Sequence, residues 1–477
     1  MSSRRRRQNQ DQSQARSPSL PNSNRSGSPR SEAPSSQPES DDSSPTPFYN
    51  TTFSAHRVSP LYIGEEPLSN KRLQTIAHRL RDTLVGDVVR GVEVGLGADG
   101  GEDGGALGQA GALEAVEIRW VRMSSLLDIG SSSGRGGGRG GSADLGSDDG
   151  GGDEDGWHKT VAQLSRKSAL HIALRYEAAS CSALLLPDLP EDGDGNGNGS
   201  EKVARSGFWV GNQTAGAIPA ADPKQFVSMP LLLLRMPAPL KAVIGNFIST
   251  SFDCRVSPLR LGTRSIVRSW ESWIQEAGLP TRGPLAKDVV VTLGFFLPPS
   301  EGESGDQTER DDAGQQGLKS IDIFIPATEL RKFVDAGKDS AAGRSKRKAS
   351  AGETWEEDAK KRRKLAGRLH EEGWEWRMSS TDNAQSDEQS ALHEQEFTEA
   401  LGLYVDRHLG LNMFHPGVRI TKIACGGFVM SEGRVKIFAP ADLGEAPGES
   451  QASSPGQRGA VYKLLRGLTA KAKCRDV

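Results

Sequence analysis

Hydrophobic positions along the chain follow two periods. Val92, Val94 and Leu96 alternate with polar residues, as do Val116, Ile118 and Trp120, then Leu170, Ile172, Leu174 and Tyr176. The same period of two returns at Val289, Val291, Leu293 and Phe295, and at Ile321, Ile323 and Ile325. Alternation of this kind predicts antiparallel strands with one face on a core. Helical spacing appears after Ser69 (Leu73, Ile76, Leu80, Leu84), after Thr263 (Ile266, Trp270, Trp273, Ile274, closed by Gly278), and over Phe397, Ala400, Leu401, Tyr404, Val405 and Leu409, closed by Gly410. The longest apolar run, 227–248, is broken by Pro230, Pro237 and Pro239 and carries Arg235 and Lys241. It predicts strand, turn and strand in a core, not a membrane span. GVRITKIACGGFVM and GRVKIFAP read as two strands joined at Ser431-Glu432-Gly433, and a short basic helix is predicted over Ala460–Lys473. Strands outnumber helices and do not alternate with them one for one, which predicts an α+β fold.

One segment occurs twice. FYNTTFSAHRVSPLYIG begins at Phe48 and FISTSFDCRVSPLRLG at Phe247, and one residue of slippage aligns Arg57, Val58, Ser59, Pro60 and Leu61 with Arg255, Val256, Ser257, Pro258 and Leu259. Each copy reads as a strand that ends at Ser-Pro, where proline no longer donates to a ladder, and each precedes an amphipathic helix. The chain is therefore expected to be built on a duplicated strand-turn-helix unit, at 48–86 and 247–278.

Composition limits how much of the 477 residues can be ordered: hydrophobic residues make up 35%, glycine accounts for 56 positions, and mean hydropathy is -0.52. Setting aside the low-complexity stretches leaves about 280 residues, enough for one large domain or two modest ones, each able to bury a core. Residues 1–46 form a basic, Ser/Pro-rich tail expected to be disordered. Residues 47–335 hold the main α+β core, with Gly/Asp-rich insertions beginning near Gly97, Gly130, Glu191 and Glu301. Residues 336–392 are expected to be a disordered linker, 393–440 a helix and hairpin completing the sheet, and 441–477 a loop and basic tail. The start MSSRRRRQNQ has no apolar core of a secretory signal, so neither secretion nor an organelle is expected.

Net charge is -3, so charge-driven binding must be local. Cys181, Cys254, Cys425 and Cys474 are too scattered for a disulfide framework, and the eight histidines form no HExxH, HxH or zinc-spaced pair with cysteine. The glycine-rich stretches lack GxGxxG and GxxxxGK[ST], and no GxSxG elbow is present. No catalytic residue, cofactor or metal is predicted. Two basic blocks, Lys346, Arg347 and Lys348, then Lys360, Lys361, Arg362, Arg363 and Lys364, have the spacing of a bipartite nuclear localisation signal. Ser17, Ser28, Ser44, Thr46 and Ser454 precede proline and are candidate proline-directed phosphosites. The glycine pair in TKIACGGFVM marks a bulge or a close backbone approach, and hence a candidate open edge able to accept a partner's strand.

Three blocks together resemble the fungal members of the centromere protein L family of the inner kinetochore: FYNTTFSAHRVSPLYIG with RLRDTLVGDVVRGVEVGL, FISTSFDCRVSPLRLG, and LGLNMFHPGVRITKIACGGFVMSEGRVKIFAP. The resemblance implies a curved, mostly antiparallel sheet flanked by helices. It also implies a non-enzymatic subunit of the constitutive centromere-associated network, located in the nucleus at the centromere and kinetochore. Such a subunit pairs with centromere protein N, connects centromeric nucleosomes to other inner-kinetochore subunits, and is able to homodimerise when alone. Partner contact through sheet edges carries over to 419–425, 427–430 and 434–438, with Ile420, Ile423, Phe428, Val435, Ile437 and Phe438 as the expected contact residues. The alternative reading is a DNA-binding saddle in which Arg57 and Arg255 lie on phosphates; near-neutral charge weighs against it.

Overall fold

The computed structural model describes residues 48–89, 111–129, 160–189, 225–279, 286–296, 318–344, 372–377, 395–440 and 455–473. The first half runs β1 (Thr52–Val58), β2 (Leu61–Tyr62), α1 (Asn70–Val89), β3 (Leu113–Arg122), α2 (Met123–Leu126), β4 (Ser168–Tyr176), β5 (Ser180–Leu186), β6 (Phe226–Val227), β7 (Leu231–Arg235) and α3 (Ala238–Ser251). The second runs β8 (Val256–Pro258), α4 (Thr263–Ala277), β9 (Val289–Phe295), β10 (Ser320–Ile325), α5 (Leu330–Arg344), a 3₁₀ turn (Glu375–Arg377), α6 (Glu396–Leu409), β11 (Val418–Ala424), β12 (Phe428–Ser431), β13 (Arg434–Ile437) and α7 (Pro455–Lys473). α4 and α6 end where expected, on Gly278 (φ 69°) and Gly410 (φ 60°), whose left-handed backbone stops a helix without a Cβ penalty.

Eleven strands form one open sheet in the order β10-β9-β11-β12-β13-β1-β7-β5-β4-β3, with β8 also on β1, and every pairing is antiparallel. The predicted α+β class is the observed one. Register explains the alternation in the second half. Ile323, Val291, Ile423, Met430, Val435 and Phe53 lie in one row across six strands, all buried. They belong to a core closed by Trp270 and Trp273 of α4, Val334 of α5, Phe397 and Leu401 of α6, and Val461 and Leu465 of α7. The central strands of the first half are covered on both faces: Leu231 and Leu233 face that core, whereas Leu232 and Leu234 join a second one with Leu73, Ile76 and Leu80 of α1 and Ile244 and Ile248 of α3.

Several expectations change. In the second copy of the repeat, Phe247–Ser251 complete α3, and the strand is confined to Val256–Pro258. The run 227–248 is strand then helix, because Pro237 at the N-cap and Pro239 in the first turn suit a helix start, where proline's missing N–H is no loss. The glycine pair Gly426-Gly427 is a hairpin turn that splits GVRITKIACGGFVM into β11 and β12; the close approach expected there is present, against the Trp273 ring at Gly427, and the β-bulge lies instead between Ile420 and Lys422. α5 crosses the expected boundary at 335. Inside the expected linker, Trp374 and Trp376 are buried in the core, with the Trp374 indole N–H donating to the Val418 carbonyl at 2.9 Å. The run at Val92–Leu96 lies outside the described residues, as do the N-terminal tail and the glycine-rich insertions.

Candidate partner interface

Besides the short strands β2, β6 and β8, two strands among the described residues have a partner on one side only, the two ends of the main sheet: β10 pairs with β9, and β3 with β4. They differ in chemistry. β3 carries Glu114, Glu117, Arg119 and Arg122, with an Arg119–Glu117 ion pair at 3.5 Å and a register irregularity between Leu113 and Ala115. Charges and irregular register are how natural edges resist further pairing. β10 has one ionisable side chain, Asp322, which accepts a hydrogen bond from Thr292 Oγ1 at 2.5 Å. Phe324 on this strand is 66% exposed and Leu318, just before it, 63%.

The sheet face away from α4 to α7 continues from that edge. Phe324, Val290, Ala424, Val429, Lys436 and Thr52 form a row directly beside the buried one, and Asp322, Thr292, Lys422 and Ser431 form a parallel polar row. None of these residues is fully buried. Gly294 keeps the face flat at the other end of β9, because a Cβ there would meet Thr421 and the ring of Phe296. Phe296 is in turn covered by the Arg419 guanidinium at 4.0 Å, and Arg419 pairs with Glu372 at 2.9 Å.

The contact residues expected from the sequence lie elsewhere. β11, β12 and β13 are interior strands with both backbone edges used, and Ile420, Ile423, Phe428, Val435 and Ile437 all point into the core at 3% exposure or less. The expectation of an open edge there is corrected: their alternation reports one covered face, a pattern shared by every half-buried strand. Phe438 is half-buried, its N–H donates to the Gly427 carbonyl at 2.9 Å, and its ring lies 5.2 Å from the ammonium groups of Lys287 and Lys436. Arg57 lies within the β1–β8 ladder and is half-buried, and Arg255 lies just before β8 and is exposed. The basic residues from Lys346 to Lys364 fall outside the described residues. The signal missed in the sequence was at β10, where alternation places Phe324 on the face opposite the isoleucines, a large apolar residue in a polar position.

Other features have structural explanations. A cleft of about 530 Å³ lies between β1, residues 258–263 and β11, lined by His56, Lys241, Arg260, Glu372, Arg419 and Glu432 among others, without a consistent charge. Burial pushes His171 down to about 4 and the Cys254 and Cys425 thiols up to about 11, which keeps imidazolium and thiolate scarce near neutrality. No group of three or more potential metal ligands occurs among the described residues, and no described helix is long and apolar enough to cross a membrane.

No curated protein matches the chain. The family model described as Centromere protein L matches residues 47–473, from just before β1 to the end of α7. It spans nearly the whole chain and every described element, so this protein belongs to the centromere protein L family, a structural family of the kinetochore.

Proposed function

We propose that this protein is a non-enzymatic scaffold subunit of the inner kinetochore that pairs with a centromere protein N-like chain and joins centromeric nucleosomes to the rest of the constitutive centromere-associated network. The observation that carries the reading is the family match together with a sheet whose two outer strands, among the described residues, have a partner on one side only. A sheet of this kind can be extended by another chain through backbone hydrogen bonds, with side-chain rows giving specificity. Basic blocks at Lys346–Lys348 and Lys360–Lys364 supply a route into the nucleus, where that work is done. Direct DNA binding through Arg57 and Arg255 is the weaker reading, because two cations neutralise too few phosphates for tight association.

The test is co-expression with the centromere protein N-like chain of the same organism, followed by size-exclusion chromatography with mass determination. A one-to-one complex is expected. A monomer that elutes apart from that chain, and binds DNA in a salt-sensitive way, would replace the scaffold reading with the saddle.

A further inference from the structure

We infer that the open face of β11, β12 and β13 is a docking surface for an acidic amphipathic α-helix of a partner protein, lying along the row Val290, Ala424 and Val429 with its carboxylates toward Lys422, Arg434 and Lys436. These strands have both backbone edges used, so the occupant adds a layer to the sheet and not a strand. The surface is separate from the pairing proposed above and does not depend on it.

The first argument is a missing layer. Over β5 and β7 the sheet is covered on both faces, by the core under α4 to α7 on one side and by the core under α1 and α3 on the other. The second core reaches Val58 of β1 and takes no residue from β9 to β13. On that same face Val290, Ala424 and Val429 are half-buried and belong to neither core. Sheets bury their apolar faces under a second layer, as the rest of this one does.

The second argument is charge. β11, β12 and β13 carry Arg419, Lys422, Arg434 and Lys436 and no carboxylate. Arg419 is engaged with Glu372 and the Phe296 ring. Lys422 and Arg434 are exposed and Lys436 is half-buried, and none of these three forms an ion pair among the described residues. The carboxylates around them are Asp322 on the outer strand, which Thr292 holds, and Glu432 in the turn before β13. Acidic side chains of a partner supply the missing counter-charges.

The third argument is shape, which also selects the occupant. Val290, Ala424 and Val429 stand side by side on adjacent strands. Such a row spans about 10 Å, the length of two helical turns. Lys436 continues the row on β13, and Lys422 lies in the next row, across from Ser431. An apolar centre with charges at its rim is the pattern of a protein interface, whereas duplex DNA gains nothing from the valines. A second copy of this chain placed face to face would oppose Lys422, Arg434 and Lys436 with cations of their own kind.

The experiment uses the full chain and labelled synthetic helices, read by fluorescence anisotropy. The probe carries leucine at helical spacing on one face and glutamate on its flanks; one control has lysine for the glutamates and another serine for the leucines. The proposal expects the probe to bind and both controls to fail, with affinity falling as salt rises. Lys422→Glu and Lys436→Glu should each weaken the probe roughly tenfold and keep the thermal midpoint. Lys71→Glu, at an exposed position of α1, should leave binding unchanged. A probe that does not bind, or that binds both charge-reversed variants as well as wild type, overturns the proposal. Equal binding of the serine control also overturns it, by reducing the face to a general attractor of anions, and so does a short DNA duplex that outcompetes the probe.

Discussion

Val58 and Val256 stand opposite one another in an antiparallel ladder formed by the two copies of one sequence segment. Arg57 faces Ser257. On the other side of the valines, Ser59 N–H donates to the Arg255 carbonyl at 3.0 Å and Arg255 N–H to Ser59 Oγ at 2.9 Å. The same register holds from Leu259 N–H on the Ala55 carbonyl to Tyr62 N–H on the Phe252 carbonyl. Since Val58 and Val256 occupy the same place in the repeat, the ladder reads alike from either copy, about a local two-fold axis. The triplet Arg-Val-Ser is self-complementary in this arrangement: valine meets valine, and each arginine meets a serine instead of its like.

That pairing makes a charge-exchange test. Ser257→Arg places a second guanidinium across from Arg57 and is expected to lower stability by up to about 1 kcal/mol at low salt. Adding Arg57→Ser restores the arginine-serine pair on exchanged strands and should recover most of the loss. Urea titrations of the two variants decide it, and a double variant as unstable as the sum of both changes would count against cross-strand complementarity.

Gly427 is required by space. A Cβ there would overlap the indole of Trp273, which itself packs edge-on against Phe428 at 5.2 Å between ring centres. Gly427→Ala should therefore cost about 1–3 kcal/mol through overpacking and alter the near-ultraviolet circular dichroism of the tryptophans. Gly433, in the next turn, has nothing within 4 Å of its would-be Cβ. Gly433→Ala should change stability by less than about 0.5 kcal/mol, and an equal loss at both sites would show that turn conformation, not packing, is what these glycines supply.

These cases show which parts of the fold were legible in the sequence. Ile321, Ile323 and Ile325 alternate because β10 has one covered face, and Leu73 to Leu84 recur at helical spacing because α1 has one buried side. β5 escaped, since Cys181–Leu186 is buried on both faces and such a strand has no period of two to detect. The repeat was visible, but its strand character was not transferable: with the same one-residue slippage Thr52 begins β1 whereas Ser251 ends α3, where tertiary packing decides. Edge position is the least local property of all. Nothing within Val418–Ile437 distinguishes an interior strand from an outer one, because that depends on β9 and β1 arriving from far away in the chain.

Trp374 is the anchor of a segment that composition alone assigned to a linker. It is 3% exposed, stacks against Trp376 at 6.2 Å and meets Phe414 edge-on at 5.0 Å, while neighbouring Glu372 and Arg377 pair with Arg419 and Glu399. Trp374→Ala should destabilise the protein by about 3–5 kcal/mol and open residues 372–377 to proteolysis. If cleavage and the urea midpoint both stay at wild-type values, the segment contributes nothing to the core.

Glu271 ties the stability of the protein to pH. Its carboxylate, on α4 and 6% exposed, accepts from Thr398 N–H at 2.9 Å and Thr398 Oγ1 at 2.6 Å, and so caps the first turn of α6, whose own N-cap residue Gln395 makes no capping bond. Burial raises its pKa to about 7 against the pull of these hydrogen bonds, and nearby Glu396 adds to the rise. A folded-state pKa above the unfolded value means that folding binds a proton. The stabilisation is complete below the unfolded pKa and is lost as pH rises through about 7. The loss attributable to this group amounts to about 3 kcal/mol at most, from the size of the shift. Glu271→Gln keeps an acceptor for Thr398 without a titrating proton, so wild type should lose stability relative to it between pH 5 and pH 8, in steps of roughly 1 kcal/mol per pH unit. Urea unfolding at each pH measures the difference, and two parallel curves would show that Glu271 does not change its protonation in that range.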